Sequence, residues 1–132
     1  MAVVVVGYVA KPEGEAALGA AVDEARLRDA TLVAVLSHVA GSDDSTGHDG
    51  VELRRRVETV LLESGVAFEV RGLTQGSDPA DDIVTVAAEL TAELIVIGLR
   101  RRSPVGKLLL GSNAQRILLD ASCPVLAVKA PA

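Results

Sequence analysis

Five short apolar runs rich in β-branched residues recur along the chain: VVVVG at 3–7, TLVAVLSHV at 31–39, VAFEV at 66–70, ELIVI at 93–97 and PVLAV at 124–128. Stretches of helical period separate them. Ala17, Leu18, Ala21, Val22 and Ala25 repeat at helical spacing between about Glu13 and Asp29. Leu53, Val57, Val60 and Leu61 mark a second helix, which Gly65 can end. GSDPADD at 76–82 opens a third, with Ser77 or Asp78 as cap, Pro79 in the first turn, and Ile83, Val84, Ala87 and Ala88 as its apolar face. Ala114, Ile117, Leu118 and Ala121 fall at i, i+3, i+4 and i+7 of a fourth, from Ser112 to Ala121. Strands apolar on both faces need cover on both faces. The alternation therefore predicts an α/β fold, a five-stranded parallel sheet with helices on either side, in one domain over residues 1–132. VAFEV alone alternates, which suits a sheet edge.

Composition narrows the function. Nearly half of the 132 residues are apolar, yet Tyr8 and Phe68 are the only aromatics, so Val, Leu, Ile and Ala must build the core. Two aromatics give no stacking platform for single-stranded nucleic acid, and a net charge of −5 argues against a general nucleic-acid binder. VVVV is too short to span a membrane, and no signal-peptide pattern opens the chain. A single cysteine, Cys123, fits a reducing cytoplasm, and a packing role suits it better than a nucleophile's. His38 and His48 lack cysteine or carboxylate companions at metal-binding spacing, so no metal site is expected. No serine, histidine and aspartate arrangement can be assembled, and no catalytic residue is expected.

Charge is unevenly placed. Residues 1–97 carry 7 Lys/Arg against 17 Asp/Glu, a net of −10, whereas residues 98–132 carry 6 against 1, a net of +5. A basic patch on an acidic body points to a small anion rather than a polyanion. In an open parallel sheet, ligands bind outside the carboxyl ends of the strands. Here those ends lie around 7–11, 38–41 and 98–112, and the last is the basic stretch GLRRRSPVGKLLLGS.

Gly98 directly after a strand lets a ligand approach the backbone without meeting a Cβ. Gly111, Ser112 and Asn113 open a helix whose free N–H groups form an anion site, and Arg100, Arg101, Arg102 and Lys107 lie between. The simpler alternative is that Ser112 or Asn113 only caps the helix and the arginines are a solvated surface. The stretch is not a Walker loop, because Lys107 is followed by Leu108 and no glycine stands five residues before Gly106. Arg54, Arg55 and Arg56, flanked by Glu52 and Glu58, read as a solvated helix face, and Asp81 and Asp82 as charges that complement a helix dipole.

Gly98, Gly111 and Ser112, with CPVLAVK at 123–129, PEGEAAL at 12–18, GSDPADDIV at 76–84 and AELIVIG at 92–98, resemble the universal stress protein family over essentially the whole chain. The resemblance implies strand order 3-2-1-4-5, and a homodimer paired through the final strand, Pro124 to Val128. It also implies an adenine nucleotide, ATP (with Mg²⁺) or AMP, near Val9, Val39, Gly98, Arg100, Arg101, Arg102, Gly111, Ser112 and Asn113. Two positions depart from the family pattern. Arg101 stands at the motif's second glycine, and Val9 stands where nucleotide-binding members usually carry an aspartate near adenine.

Two readings follow. One is a cytoplasmic stress-response protein that binds ATP or AMP, with any hydrolysis slow and incidental. The other is a dimeric interaction module that has lost the nucleotide and uses the basic loop to dock an acidic partner.

Overall fold

The computed structural model describes residues 2–37, 48–72, 78–100 and 110–131, with the side chains of 48–50 left aside. Five strands and four helices alternate: β1 (Val3–Tyr8), α1 (Pro12–Arg28), β2 (Thr31–Leu36), α2 (His48–Ser64), β3 (Phe68–Gly72), α3 (Pro79–Glu89), β4 (Leu94–Leu99), α4 (Ser112–Asp120) and β5 (Val125–Lys129). The strands form one parallel sheet in the order β3-β2-β1-β4-β5. Fold class and strand order are those expected. The chain runs outward from β1 in one direction and then in the other, so the switch point lies between β1 and β4.

Alternation along each strand divides the core in two. Val4, Val6, Tyr8, Leu32, Ala34, Leu36, Leu94 and Val96 face α1 and α2, while Val5, Val33, Val35, Ile95 and Ile97 face α3 and α4. Both sets are buried, which is why the central strands read as unbroken apolar runs. Small residues Gly14, Ala17, Ala21 and Ala25 are buried along α1 and let it sit close over β1 and β4.

Local signals account for the ends. Pro12 starts α1, Gly65 takes φ +79° just beyond α2, and Asp78 caps α3 by accepting the Ala80 N–H at 2.8 Å. α2 begins at His48, ahead of the Leu53 that opens its apolar face, and β3 is shifted two residues beyond VAFEV. Register explains the shift: Phe68 to Gly72 pair with Leu32 to Leu36, which leaves Val66 outside the strand. Ala88, expected on the apolar face of α3, is exposed, as are Leu118 at 41 % and Val60 at 39 %. Ser77, considered above as a cap of α3, lies outside the described residues.

The arginine run on α2 is more than a solvated face. Arg54 donates to the Val70 carbonyl at 2.8 Å. Because the Leu32 N–H bonds the Ala67 carbonyl, odd residues of β3 turn their backbone groups toward β2 and even ones toward the free edge. Val70 is thus an outward carbonyl, and Arg54 covers it. Tyr8, 1 % exposed, donates its hydroxyl to Glu15 on α1 with Arg56 of α2 close by. Arg116 of α4 bridges Asp78, at 2.9 Å, and Asp81 of α3, which gives Asp81 a partner besides the helix dipole.

Burial, the hydrogen bond to Glu15 and the Glu15 charge push the Tyr8 phenol up to about 12, with Arg56 opposing. A raised phenol contributes stability that is complete below its unfolded value near pH 10 and is lost as pH rises toward 12. Tyr8 is the only tyrosine. Phenolate absorbance should therefore appear at about pH 12 in the folded protein and at about pH 10 in denaturant. A folded-state midpoint near 10 would contradict the buried, hydrogen-bonded hydroxyl.

Candidate functional site

At the carboxyl ends of β1 and β4 two backbone segments pass in unusually close contact. A Cβ on Gly98, next to last in β4, would lie 2.6 Å from the carbonyl carbon of Glu13 and closer still to its oxygen. A Cβ on Gly14 would meet the Val9 backbone, 2.7 Å from its carbonyl carbon. The room Gly98 leaves is therefore taken by the first turn of α1, a use the sequence reading did not anticipate. PEGEAAL contains the second glycine of this contact, but one chain's spacing does not reveal what Gly14 faces.

Val9 is half-buried in a tight turn, its carbonyl accepting the Lys11 N–H at 2.7 Å. Lys11 is the extended N-cap of α1, with no side-chain bond closing the helix end. Glu13, one position inside the helix, is 8 % exposed and is the buried charged residue among those described. Its carboxylate meets the Arg100 guanidinium at 3.5 Å. Arg100 itself is half-exposed, its side chain 55 % accessible. It is paired rather than free, which the sequence reading also missed.

α4 opens on the same rim. Its N-cap is Gly111, at φ −66° and ψ 163°, with no side-chain cap, so neither Ser112 nor Asn113 fulfils the capping role considered for them. Both are exposed residues of the first turn, and among the described residues nothing lies within 4 Å of a Cβ built on Gly111. The Gly111 carbonyl accepts the Gln115 N–H at 3.0 Å, while the N–H groups of Ser112, Asn113 and Ala114 precede the first such bond. A helix start of this kind favours an anion through its oriented N–H groups and its dipole.

The structure thus brings Val9, Gly98, Arg100 and the start of α4 to the carboxyl ends of the central strands. His38, Val39, Arg101, Arg102 and Lys107 lie outside the described residues. Ser37, just after β2, bonds the Tyr8 carbonyl through its N–H at 2.8 Å, which ties the base of the 38–47 segment to the end of β1. Among the described residues no group of three His, Cys, Asp or Glu side chains is placed to hold a metal, and no helix is long and apolar enough to cross a membrane. Burial pushes the Cys123 thiol upward, away from thiolate chemistry.

A doubly wound sheet with glycines at its switch point and an uncapped helix start on its carboxyl rim defines a nucleotide-binding-like α/β sandwich. The family model "Universal stress protein family" matches residues 1–129, and the chain belongs to that family. A universal stress protein of Mycolicibacterium smegmatis is 46 % identical over 129 residues, covering 96 % of both chains. Among solved structures, a universal stress protein from Archaeoglobus fulgidus superposes with a TM-score of 0.78 at 36 % identity, covering 98 % of each chain. Another from Archaeoglobus fulgidus, solved in complex with dAMP, gives a TM-score of 0.73 at 30 % identity, again over 98 % of each.

Relieving the backbone contact should be impossible without moving α1. Gly98→Ala is expected to destabilise the protein by about 3 kcal/mol in urea unfolding, because the obstructing atoms are backbone. Gly19, exposed in mid-α1 with nothing within 4 Å of its Cβ, provides the control. Gly19→Ala should stabilise by about 0.5–1 kcal/mol. Equal effects at the two positions would contradict the tight contact.

Proposed function

We propose that this protein binds an adenine nucleotide, ATP with Mg²⁺ or AMP, at the rim between the ends of β1 and β4 and the start of α4, and acts as a cytoplasmic stress-response protein. The observation that carries the reading is the open start of α4. Among the described residues nothing fills the space beside Gly111, while Ser112 and Asn113 are exposed and their N–H groups precede the helix's first internal bond. Phosphate is the anion such a helix start accommodates best when a nucleoside can lie along the neighbouring strand ends. The dAMP complex of the Archaeoglobus fulgidus relative, at 30 % identity, supports it further.

Val9, and Val39 of the adjoining loop, would lie near the base, Gly98 and Gly111–Asn113 near ribose and phosphates, and Arg100, Arg101 and Arg102 would supply positive charge. Val9 cannot accept a hydrogen bond through its side chain, so base recognition would fall to backbone groups, at a cost of about 1–3 kcal/mol relative to a carboxylate. The reading is one of binding, with any hydrolysis slow and incidental. Calorimetry of the purified protein with AMP and with ATP plus Mg²⁺ should give saturable heat at micromolar to millimolar ligand. No heat and no thermal shift with either would leave the interaction-module reading in its place.

The protein would work as a homodimer through β5. The bonds from the Ile95 N–H to the Pro124 carbonyl and from the Ala130 N–H to the Leu99 carbonyl turn even residues toward β4. Val125, Ala127 and Lys129 therefore direct their backbone groups to the free edge, and Leu126 of the same strand is 37 % exposed. Among the described residues no side chain bonds those groups. Ala127→Pro removes one outward N–H and no bond to β4. Light scattering should show a dimer for the parent protein and a folded monomer for A127P. A dimer that survives the substitution would exclude β5 pairing.

A further inference from the structure

Glu13 is a feature of the rim that runs against an anion site. It is a buried carboxylate at the switch point between β1 and β4, and it cannot swing clear as a surface glutamate would. Its own backbone carbonyl fills the space beside Gly98, so its Cα is fixed against β4. Its side chain would lie 3.0 Å from a Cβ at that position. Arg100, the first residue after β4, folds back onto it at 3.5 Å. The pair carries no net charge. Whatever attraction Arg100 offers to a phosphate is matched by repulsion from a carboxylate held close behind it. Glu13 also lies in the first turn of α1 and offsets the positive end of that helix, which would otherwise add to the attraction.

We propose that Glu13 is a specificity-determining residue of this rim. By neutralising Arg100 and fixing a negative charge beside Gly98, it shifts the preference from nucleoside triphosphates toward monophosphates. The inference rests on the reading that the rim binds adenine nucleotides, and it goes beyond it by naming what sets the preference. Each added phosphate brings further negative charge, so the carboxylate penalises ATP more than AMP. A merely structural Glu13 would alter stability and leave the ratio of the two affinities alone.

The test is calorimetry of AMP and of ATP at fixed, low ionic strength, because screening weakens the effect. Four proteins are compared: the parent, Glu13→Gln, Arg100→Gln and the double variant. Relative to the parent, E13Q should raise ATP affinity about tenfold and AMP affinity no more than about threefold. R100Q should lower the ATP-to-AMP affinity ratio, and the double variant, neutral again, should return it to the parent value. Arg100 is half-exposed, so R100Q carries the test even if E13Q does not fold. An unchanged ratio in E13Q or R100Q, or a double variant that behaves like E13Q, overturns the role of the pair while leaving nucleotide binding intact. If neither the parent nor any variant binds either nucleotide, the nucleotide reading itself fails, and this inference with it.

Discussion

Two backbone-on-backbone contacts hold the carboxyl end of this sheet: α1 against β4 at Gly98, and the turn after β1 against α1 at Gly14. A side chain at either position would need to occupy the place of a peptide carbonyl, which cannot rotate aside. These contacts bring the first turn of α1 down into the crevice where the sheet reverses direction. The rim's features follow from that approach, including the burial of Glu13, the half-buried turn at Val9 and the return of Arg100 across the strand end.

Around that point the two helical layers are tied to the same strand ends by different means. On one side the Tyr8 hydroxyl reaches Glu15 with Arg56 nearby, so the end of β1 engages α1 and α2 together. On the other, Arg116 joins α4 to the cap of α3 through Asp78 and Asp81. The second link involves half-exposed groups and contributes little energy compared with the buried Ile117 beneath it, for which about 2 kcal/mol is a fair magnitude. Its effect is positional. It joins the first half of α4 to the N-terminal end of α3.

Much of this was legible in the sequence, for a definite reason. Continuous burial on both faces writes itself into VVVV, TLVAVL and LIVI, and the strand–helix alternation then leaves few arrangements. Helix ends were equally readable, because Asp78 and Gly65 act on their immediate neighbours. Contacts between segments distant in sequence were not. Gly98 was read as room for a ligand when the nearest occupant is Glu13, 85 positions earlier in the chain. Arg54 and Arg100 were read as solvent-facing or ligand-facing charges, yet each has a partner supplied by another element. Periodicity tells which face of an element is buried, but it carries no information about which charged residue lies opposite.

The two borders of the sheet are treated unequally. At β3 an arginine from α2 covers an outward carbonyl, and the strand carries the charged pair Arg71 and Glu69. At β5 the outward groups of Val125, Ala127 and Lys129 have no such cover among the described residues. A sheet with two receptive borders can add copies at both ends and grow without limit, as in fibrils. With one border partly covered, the pairing proposed above at β5 would use the receptive edge of both copies, and growth would stop at a closed, countable particle. Arg54, through its bond to the Val70 carbonyl, would thus act against further growth at β3 in such an assembly.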